Sequence, residues 1–213
     1  MVSWIFYFPA TFWLGFETQD AGSISRHPHL KYKGQFLIVM VHHIPAGLWS
    51  LLAPLQFCTP LRKAYPKIHR GVGYLFFATV PFITLGALLI FSWDMNLEFG
   101  TSELGLSPIK ESGWVLTLYL KGLSLYFIIS ALVALKKVRE KKFDEHFRYV
   151  CRHIASGIWV AILRVYTMFR APNTMESVKA SFYDGTLIAV FLSLVFSEVY
   201  LYLNRTTKKQ KAP

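Results

Sequence analysis

Five histidines of this 213-residue chain lie within or beside long apolar stretches, where ionisable side chains are rare. An imidazole nitrogen can bind a metal or haem iron, and the protonated ring binds anions. Amide and guanidinium groups lie in or next to the same stretches, and a guanidinium suits a carboxylate or phosphate. These side chains are therefore predicted to face a bundle interior and to form a ligand site. The predicted cofactor-binding residues are His43, Gln56, Arg62, His69, His146, Arg152, His153 and Arg164.

The elements that would position these residues are five apolar runs, each long enough to cross a hydrocarbon core of about 30 Å. The chain is 54% hydrophobic. Because a backbone in lipid must satisfy its own hydrogen bonds, each run is predicted to be a helix. The predicted fold is an all-α, polytopic membrane helix bundle with five long transmembrane helices. The five runs are residues 35–57, 71–93, 114–135, 149–169 and 186–203.

The two ends of the chain differ from the five runs in composition. Residues 2–16 are apolar and aromatic but contain Pro9, so this short segment is predicted to be either a sixth span or an interfacial segment. It has no basic n-region and no clear cleavage site, which argues against a signal peptide. We divide the chain into an N-terminal hydrophobic segment and outer loop (1–34), the transmembrane bundle (35–203) and a basic tail (204–213).

The net charge of +11 is concentrated in the connections between the runs. Fourteen Lys and Arg residues follow the first, third and fifth runs, whereas six lie on the opposite side. This bias alternates at every connection, and the positive-inside rule then places the C-terminus in the cytoplasm. Basic loops of this kind also attract anionic lipids, so membrane lipids rather than nucleic acid are the predicted partners.

Helical periodicity places the polar groups on particular faces of the runs. At 100° per residue, His146, His153, Gly157 and Arg164 share one stripe of the fourth run. On the first run, His43 shares a stripe with small residues, which leave room for another helix or a flat ligand. His43 is therefore predicted to face the fourth run, with Arg164 nearby.

The intramembrane charges are unequal in number. Glu198 is the one clear acid within the runs, and it shares a depth with Arg152, so these two side chains are predicted to be partners. Lys121 and Arg164 also lie within runs. The interior is therefore predicted to be cationic, which would favour an anionic guest such as a haem propionate, a phosphate or a lipid headgroup.

A second prediction concerns the cytoplasmic ends of the runs. His69 and His146 each end a basic cytoplasmic connection, so both imidazoles should lie at one membrane level. The second and fourth runs have the same direction, which lets the two side chains converge. Gln56 and Arg62 leave the first run at this level as well. Together these residues are predicted to make a polar, cationic pocket at the inner face.

Three stretches carry motifs with specific spacing: "HIPAGLWSLLAPLQF" (43–57), "LRKAYPKIHRGVGYL" (61–75) and "HFRYVCRHIASGIWVAILRVY" (146–166). They resemble a family of predicted polytopic membrane proteins, common in bacteria and known only as a domain of unknown function. The resemblance covers about residues 35–203 and implies an integral protein of the bacterial inner membrane. His42 and His153 are additional to the family's pattern. The resemblance points to His43, Gln56, Arg62, His69, Arg70, His146, Arg152 and Arg164, and it supplies no activity.

The function favoured by these features is non-enzymatic, although the sequence does not decide whether the protein is an enzyme. A carrier, a lipid-binding protein or an accessory subunit of a larger membrane complex fits best. The chain is 16% aromatic, and aromatic-rich spans suit packing against lipid or a partner. The polar groups within the runs would then form a cationic His/Arg cavity for a ligand.

Two alternatives use the histidines as metal ligands. A haem b or quinone-linked electron-transfer protein would place one haem near the inner face, held by His69 and by His146 or His153. A zinc-dependent membrane hydrolase would bind zinc through the same three histidines and use Glu198 as the base. The sequence does not determine which cofactor is bound, and haem b is the cofactor that the pattern of histidines suggests.

Overall fold

The computed structural model describes residues 36–92, 113–170 and 175–210, and all regular structure within them is helical. This confirms the all-α class, whereas the segment 1–34 lies outside the described residues. A π-helical turn, Val39–His43, joins the first two helices. The α-helices are α1 (Phe36–Ile38), α2 (Ile44–Gln56), α3 (Thr59–Ala64), α4 (Pro66–Ala78), α5 (Val80–Ser92), α6 (Gly113–Arg139), α7 (Phe143–Arg170) and α8 (Met175–Gln210).

Proline interrupts the helices of the first two predicted runs. Pro45 has no backbone N–H, so the carbonyl of Val41 loses its usual donor and the π-helical turn ends there. Pro81 likewise removes the donor to the carbonyl of Phe77, and the helix is broken between α4 and α5 at Thr79. The Thr79 hydroxyl donates to the carbonyl of Phe76 at 2.7 Å.

The remaining three helices are continuous and longer than the predicted runs. α7 begins at Phe143 rather than at residue 149, because Asp144 and Glu145 in its first turn favour a helix N-terminus. α8 extends to Gln210, so the predicted tail at 204–213 begins as helix. Lys141, in the turn between α6 and α7, has a left-handed backbone conformation (φ 59°).

Three helical segments of the described residues are long and apolar enough to cross a membrane: Pro66–Ile90, Leu118–Arg139 and Asp184–Arg205. The first of them contains the break at Thr79. The segment α1–α2 is interrupted by the π-helical turn, and α7 carries several charged and imidazole side chains. The bundle is therefore that of a membrane protein, and the count of five spans stays a prediction.

The core of the bundle is an aromatic cluster where α2, α4, α6 and α7 meet. Trp49, Phe76, Phe127 and Val150 are almost fully buried there. The outer surface is also apolar, because large hydrophobic side chains are exposed along α8, for example Phe191. A lipid environment explains an exposed apolar surface of this kind.

Candidate functional site

Four of the predicted site residues lie at one end of the bundle. We call them the rim cluster: Gln56, Arg62, His69 and His146. They come from the end of α2, from α3 and from the first turns of α4 and α7. Arg62 and His146 both act electrostatically on His69. The two imidazoles that were predicted to share one membrane level are thus close enough to interact electrostatically.

His69 carries an unsatisfied atom within this cluster. Its Nδ1 is buried and has no hydrogen-bond partner among the described residues. The titratable groups that act on it are Arg62 and His146, with no acid of the described chain among them. A buried polar atom costs free energy unless it is hydrogen-bonded. A ligand that is anionic or accepts hydrogen bonds would therefore be stabilised at this position.

Gln56 reaches the same part of α4 because a glycine leaves space for it. A methyl group on Gly73 would lie 3.5 Å from the Gln56 Oε1 atom, and Gly73 is one helical turn from His69. The Gln56 amide nitrogen donates to the carbonyl of Leu52 at 3.2 Å. The amide oxygen therefore lies against α4, on the side that His69 occupies.

His146 joins α7 to α6. Its Nδ1 lies 2.9 Å from the carbonyl oxygen of Ala134. A carbonyl only accepts, so Nδ1 must carry the proton and donate. This fixes the tautomer of the neutral ring and leaves Nε2 as the nitrogen that can accept a hydrogen bond from a ligand or coordinate a metal.

Arg152 and Glu198 form the pair that the sequence predicts. The Arg152 Nε atom donates to Glu198 Oε1 at 2.6 Å, and one terminal nitrogen donates to Oε2 at 2.9 Å. The guanidinium carbon also lies 5.4 Å from the ring centroid of Tyr149. This two-bond geometry neutralises Arg152, which is therefore not an open cation for an anionic guest.

The described part of the bundle interior is therefore less positively charged than the sequence predicts. Lys121 is exposed on the outside of α6, and Arg152 is neutralised by Glu198. Arg164 lies in α7, and its side chain is outside the described part of the structure. The basic character that the described residues retain is at the rim cluster rather than in the middle of the bundle.

His153 is fully buried, and both of its ring nitrogens are hydrogen-bonded. The indole N–H of Trp49 donates to His153 Nε2 at 3.0 Å, so Nε2 must be the unprotonated nitrogen. His153 Nδ1 then donates to the carbonyl oxygen of Phe127 at 2.9 Å. In this arrangement neither nitrogen offers a lone pair to zinc or haem iron. The residue instead links α7 to α2 and α6.

The aromatic side chains around His153 explain why the residue at position 157, on the same face of α7, is a glycine. Phe127 stacks against the imidazole with ring centroids 4.3 Å apart, and Phe76 and Trp49 approach it edge-on at 5.4 and 5.7 Å. A methyl group on Gly157 would lie 2.7 Å from the Trp49 ring. The stripe of His153 and Gly157 therefore makes room for an aromatic side chain rather than for a ligand.

The rings of the adjacent pair His42 and His43 lie 5.5 Å apart and nearly perpendicular to each other. His42 Nδ1 donates to the carbonyl of Ile83 at 3.0 Å, and a methyl group on Gly86 would lie 2.4 Å from His42 Cβ. His42 therefore holds the π-helical turn against α5, a contact that the sequence analysis missed. The Nδ1 atom of His43 is buried. Its predicted proximity to Arg164 involves a side chain outside the described residues.

The zinc hypothesis requires His69, His146 and His153 to meet at one point. Among the described residues, no three His, Cys, Asp or Glu side chains are close enough to hold a metal ion. His153 lies in the aromatic core, and its nitrogens bind Trp49 and Phe127. Glu198, the predicted base, binds Arg152 instead. The predicted zinc site is therefore not formed.

Comparison with known protein families gives a match over most of the chain. The model of the family described as "Predicted membrane protein (DUF2306)" matches residues 39–201, which include every helix from α2 to α7 and most of α8. No curated protein and no solved structure matches the chain. The match covers most of the chain and includes the rim cluster and the aromatic core around His153. The chain therefore belongs to this family of membrane proteins, whose function is unknown.

Proposed function

We propose that the protein is a non-enzymatic, lipid-binding membrane protein whose rim cluster binds the anionic headgroup of a phospholipid. The observation that carries this proposal is the buried, unpartnered Nδ1 of His69 beside Arg62 and His146. A phosphate supplies several acceptor oxygens and negative charge, which suit a guanidinium and two imidazoles. The alternation of basic connections supports five spans with this end of the bundle at the cytoplasmic face of the bacterial inner membrane.

The orientation is tested by labelling from one side of the membrane. In a background without Cys58 and Cys151, single cysteines replace Lys141 in the α6–α7 turn and Ser102 in the predicted outer loop. A membrane-impermeant maleimide added outside intact cells should label the Ser102→Cys variant and spare the Lys141→Cys variant. Labelling of both from the same side contradicts the five-span topology and the cytoplasmic placement of the rim cluster.

The headgroup site is tested by lipid-dependent thermal stability of the purified protein. Phosphatidylglycerol should raise the unfolding temperature more than phosphatidylcholine, because only the former carries a net negative charge. Arg62→Gln should weaken the phosphatidylglycerol response by roughly tenfold or more in apparent affinity, since a hydrogen bond to a charged group contributes about 1.5–3 kcal/mol. Lys63→Gln removes an equal charge from the next position of α3 and is the matched control.

The comparison of these two variants decides the proposal. If Arg62→Gln and Lys63→Gln reduce the lipid response equally, the effect is general surface charge and the rim cluster is not the site. His69→Phe should behave like Arg62→Gln, because it removes the imidazole but keeps an aromatic ring. An unchanged response in His69→Phe would also refute the proposal.

A haem b or quinone-linked electron carrier is the second candidate. The observation that favours it is the pair of imidazoles on α4 and α7, since His146 keeps Nε2 available and His69 has an unpartnered nitrogen. The visible absorption spectrum of the protein purified from membranes separates the two functions. A Soret band that is lost in both His69→Phe and His146→Phe would favour haem over the headgroup.

A further inference from the structure

An apolar groove lies on the outside of the bundle between α7 and α8. Its volume is about 380 Å³, within the range of about 300–1,000 Å³ that is usual for ligand sites. It follows α7 from Cys151 to Ile162, a length of roughly 16 Å at 1.5 Å per residue. The groove is therefore aligned with the helices, as an acyl chain in a bilayer is. Small side chains, among them Ala155 and Ser193, form much of its wall.

One polar atom in the groove wall has no partner. The hydroxyl oxygen of Ser197 is buried and makes no hydrogen bond among the described residues. Ser193, one turn earlier on α8 and in the same wall, donates its hydroxyl to the carbonyl of Val190 at 2.9 Å. Ser156 on α7 is satisfied in the same way, by the carbonyl of His153. A buried hydroxyl left without a partner in an apolar wall is a donor for a ligand that carries an acceptor.

The inner end of the groove lies near residues that are next in the chain to two members of the rim cluster. Phe57, which follows Gln56, lines the inner end of the groove and packs edge-on against Phe147 at 5.9 Å. Tyr200 lines the same end and lies 6.4 Å from Phe147. Phe147 follows His146 in α7. An amphiphile could therefore place its polar end at the rim cluster and its apolar tail in the groove.

We propose that the α7–α8 groove binds one acyl chain of a glycerophospholipid, and that the Ser197 hydroxyl donates to the ester carbonyl of that chain. The proposal rests on the proposed headgroup site for the identity of the lipid. Ser197 is about two helical turns from the level of His146, roughly 10 Å along the helices. The segment of the lipid from the phosphate to the ester carbonyl covers part of this interval, and the side chains of the rim cluster and of Ser197 cover the rest.

The test compares Ser197 with Ser156, a serine of α7 whose hydroxyl is hydrogen-bonded and which does not line the groove. In wild-type protein, Ser197→Ala and Ser156→Ala, the unfolding temperature is measured in lipid-free detergent and against increasing phosphatidylglycerol. Ser197→Ala should weaken the apparent lipid affinity about 2- to 10-fold, the loss expected for one hydrogen bond. It should leave the lipid-free unfolding temperature unchanged or raised, because it removes an unsatisfied group. Ser156→Ala should keep the wild-type lipid affinity.

Two further measurements separate this proposal from the headgroup site. An ether-linked phosphatidylglycerol, which lacks the ester carbonyls, should bind wild-type protein and Ser197→Ala equally. The zwitterionic phosphatidylcholine should retain the dependence on Ser197, since the ester and the acyl chain are unchanged. If the Arg62→Gln effect is absent but the Ser197→Ala effect remains, the headgroup site fails and the groove survives.

The groove proposal is overturned if Ser197→Ala and Ser156→Ala have the same lipid affinity. It is also overturned if Ser197→Ala changes the apparent affinity for the ester-linked and the ether-linked lipid by the same factor. As a check that does not depend on Ser197, Ile158→Trp should obstruct the groove and lower the lipid affinity. Val160→Trp, at an exposed position of α7 that does not line the groove, should not. Equal effects of the two tryptophan variants would count against an acyl chain in the groove.

Discussion

The hydrogen bond between Trp49 and His153 permits a quantitative prediction. Trp49→Phe removes the indole donor and leaves His153 Nε2 buried without a partner. His153→Leu removes the acceptor and leaves the indole N–H unpaired. The double variant loses both groups, so its destabilisation should be smaller than the sum of the two single effects. The difference is the coupling free energy of this one bond.

The structure indicates the size of this coupling. Hydrogen bonds between the helices of membrane proteins contribute about 0.6 kcal/mol on average and at most about 1.7 kcal/mol in comparable cycles. The imidazole of His153 is 0% exposed, and Trp49 is 4% exposed, so water cannot replace the lost partner. We therefore expect a coupling of about 1–1.7 kcal/mol, with each single variant destabilised by about 1–3 kcal/mol.

The assay uses a cysteine that the chain already contains. Cys151 lies two residues from His153 and is 6% exposed, so its thiol reacts with a maleimide dye only after the bundle opens. In a Cys58→Ser background, dye incorporation along a denaturant titration gives the unfolding free energy of each variant. Additive single effects, within about 0.5 kcal/mol, would refute the hydrogen bond and the tautomer assigned to His153.

Three other predictions follow from separate parts of the bundle. Gly157→Ala should destabilise the protein by about 1–3 kcal/mol because its methyl group would collide with an indole ring, whereas Gly122→Ala, which meets no atom within 4 Å, should be neutral or stabilising by thermal unfolding. Glu198→Gln should lower the unfolding temperature, and neutralising its arginine partner in the same chain should restore part of the loss. The ion pair with Lys137 holds the pKa of Glu145 below its ordinary value of 4.5, so its contribution to stability is complete above pH 4.5 and is lost as the pH falls through the lowered pKa. The difference in unfolding temperature between wild-type protein and Glu145→Gln should therefore decrease in acid, and a constant difference from pH 7 to pH 3 would contradict this.

The positions of the helices could be predicted from the sequence, but their ends could not. Each of the five apolar runs became helical, because hydropathy marks the stretches that avoid water. The start of α7 at Phe143 depends instead on two acids in its first turn, which hydropathy scores as unfavourable. The π-helical turn and the break at Thr79 follow from missing amide donors at Pro45 and Pro81. These prolines are visible in the sequence, but their effect on the backbone depends on local packing.

The site could be predicted where chain connectivity restricts depth. The interaction of His69 with His146 agrees with the prediction made from the short connections that both residues follow, and the partnership of Arg152 with Glu198 was predicted from their depth in the runs and their opposite charge. The role of His153 could not be obtained in this way. Its stripe with Gly157 signalled a close approach, but the identity of Trp49 as the partner depends on how α2 is rotated about its own axis.

The distribution of proline gives the two parts of this bundle different mechanical properties. α6, α7 and α8 contain no proline within their described lengths, so each transmits force along an unbroken hydrogen-bond ladder. The first two runs are each divided at a point where a backbone donor is missing, and bending there breaks fewer hydrogen bonds than elsewhere. The rim cluster draws Gln56 and His69 from the compliant part and His146 from the stiff one. A ligand bound between them would therefore fix the angle between the first two runs, which can bend, and the continuous helices α6, α7 and α8.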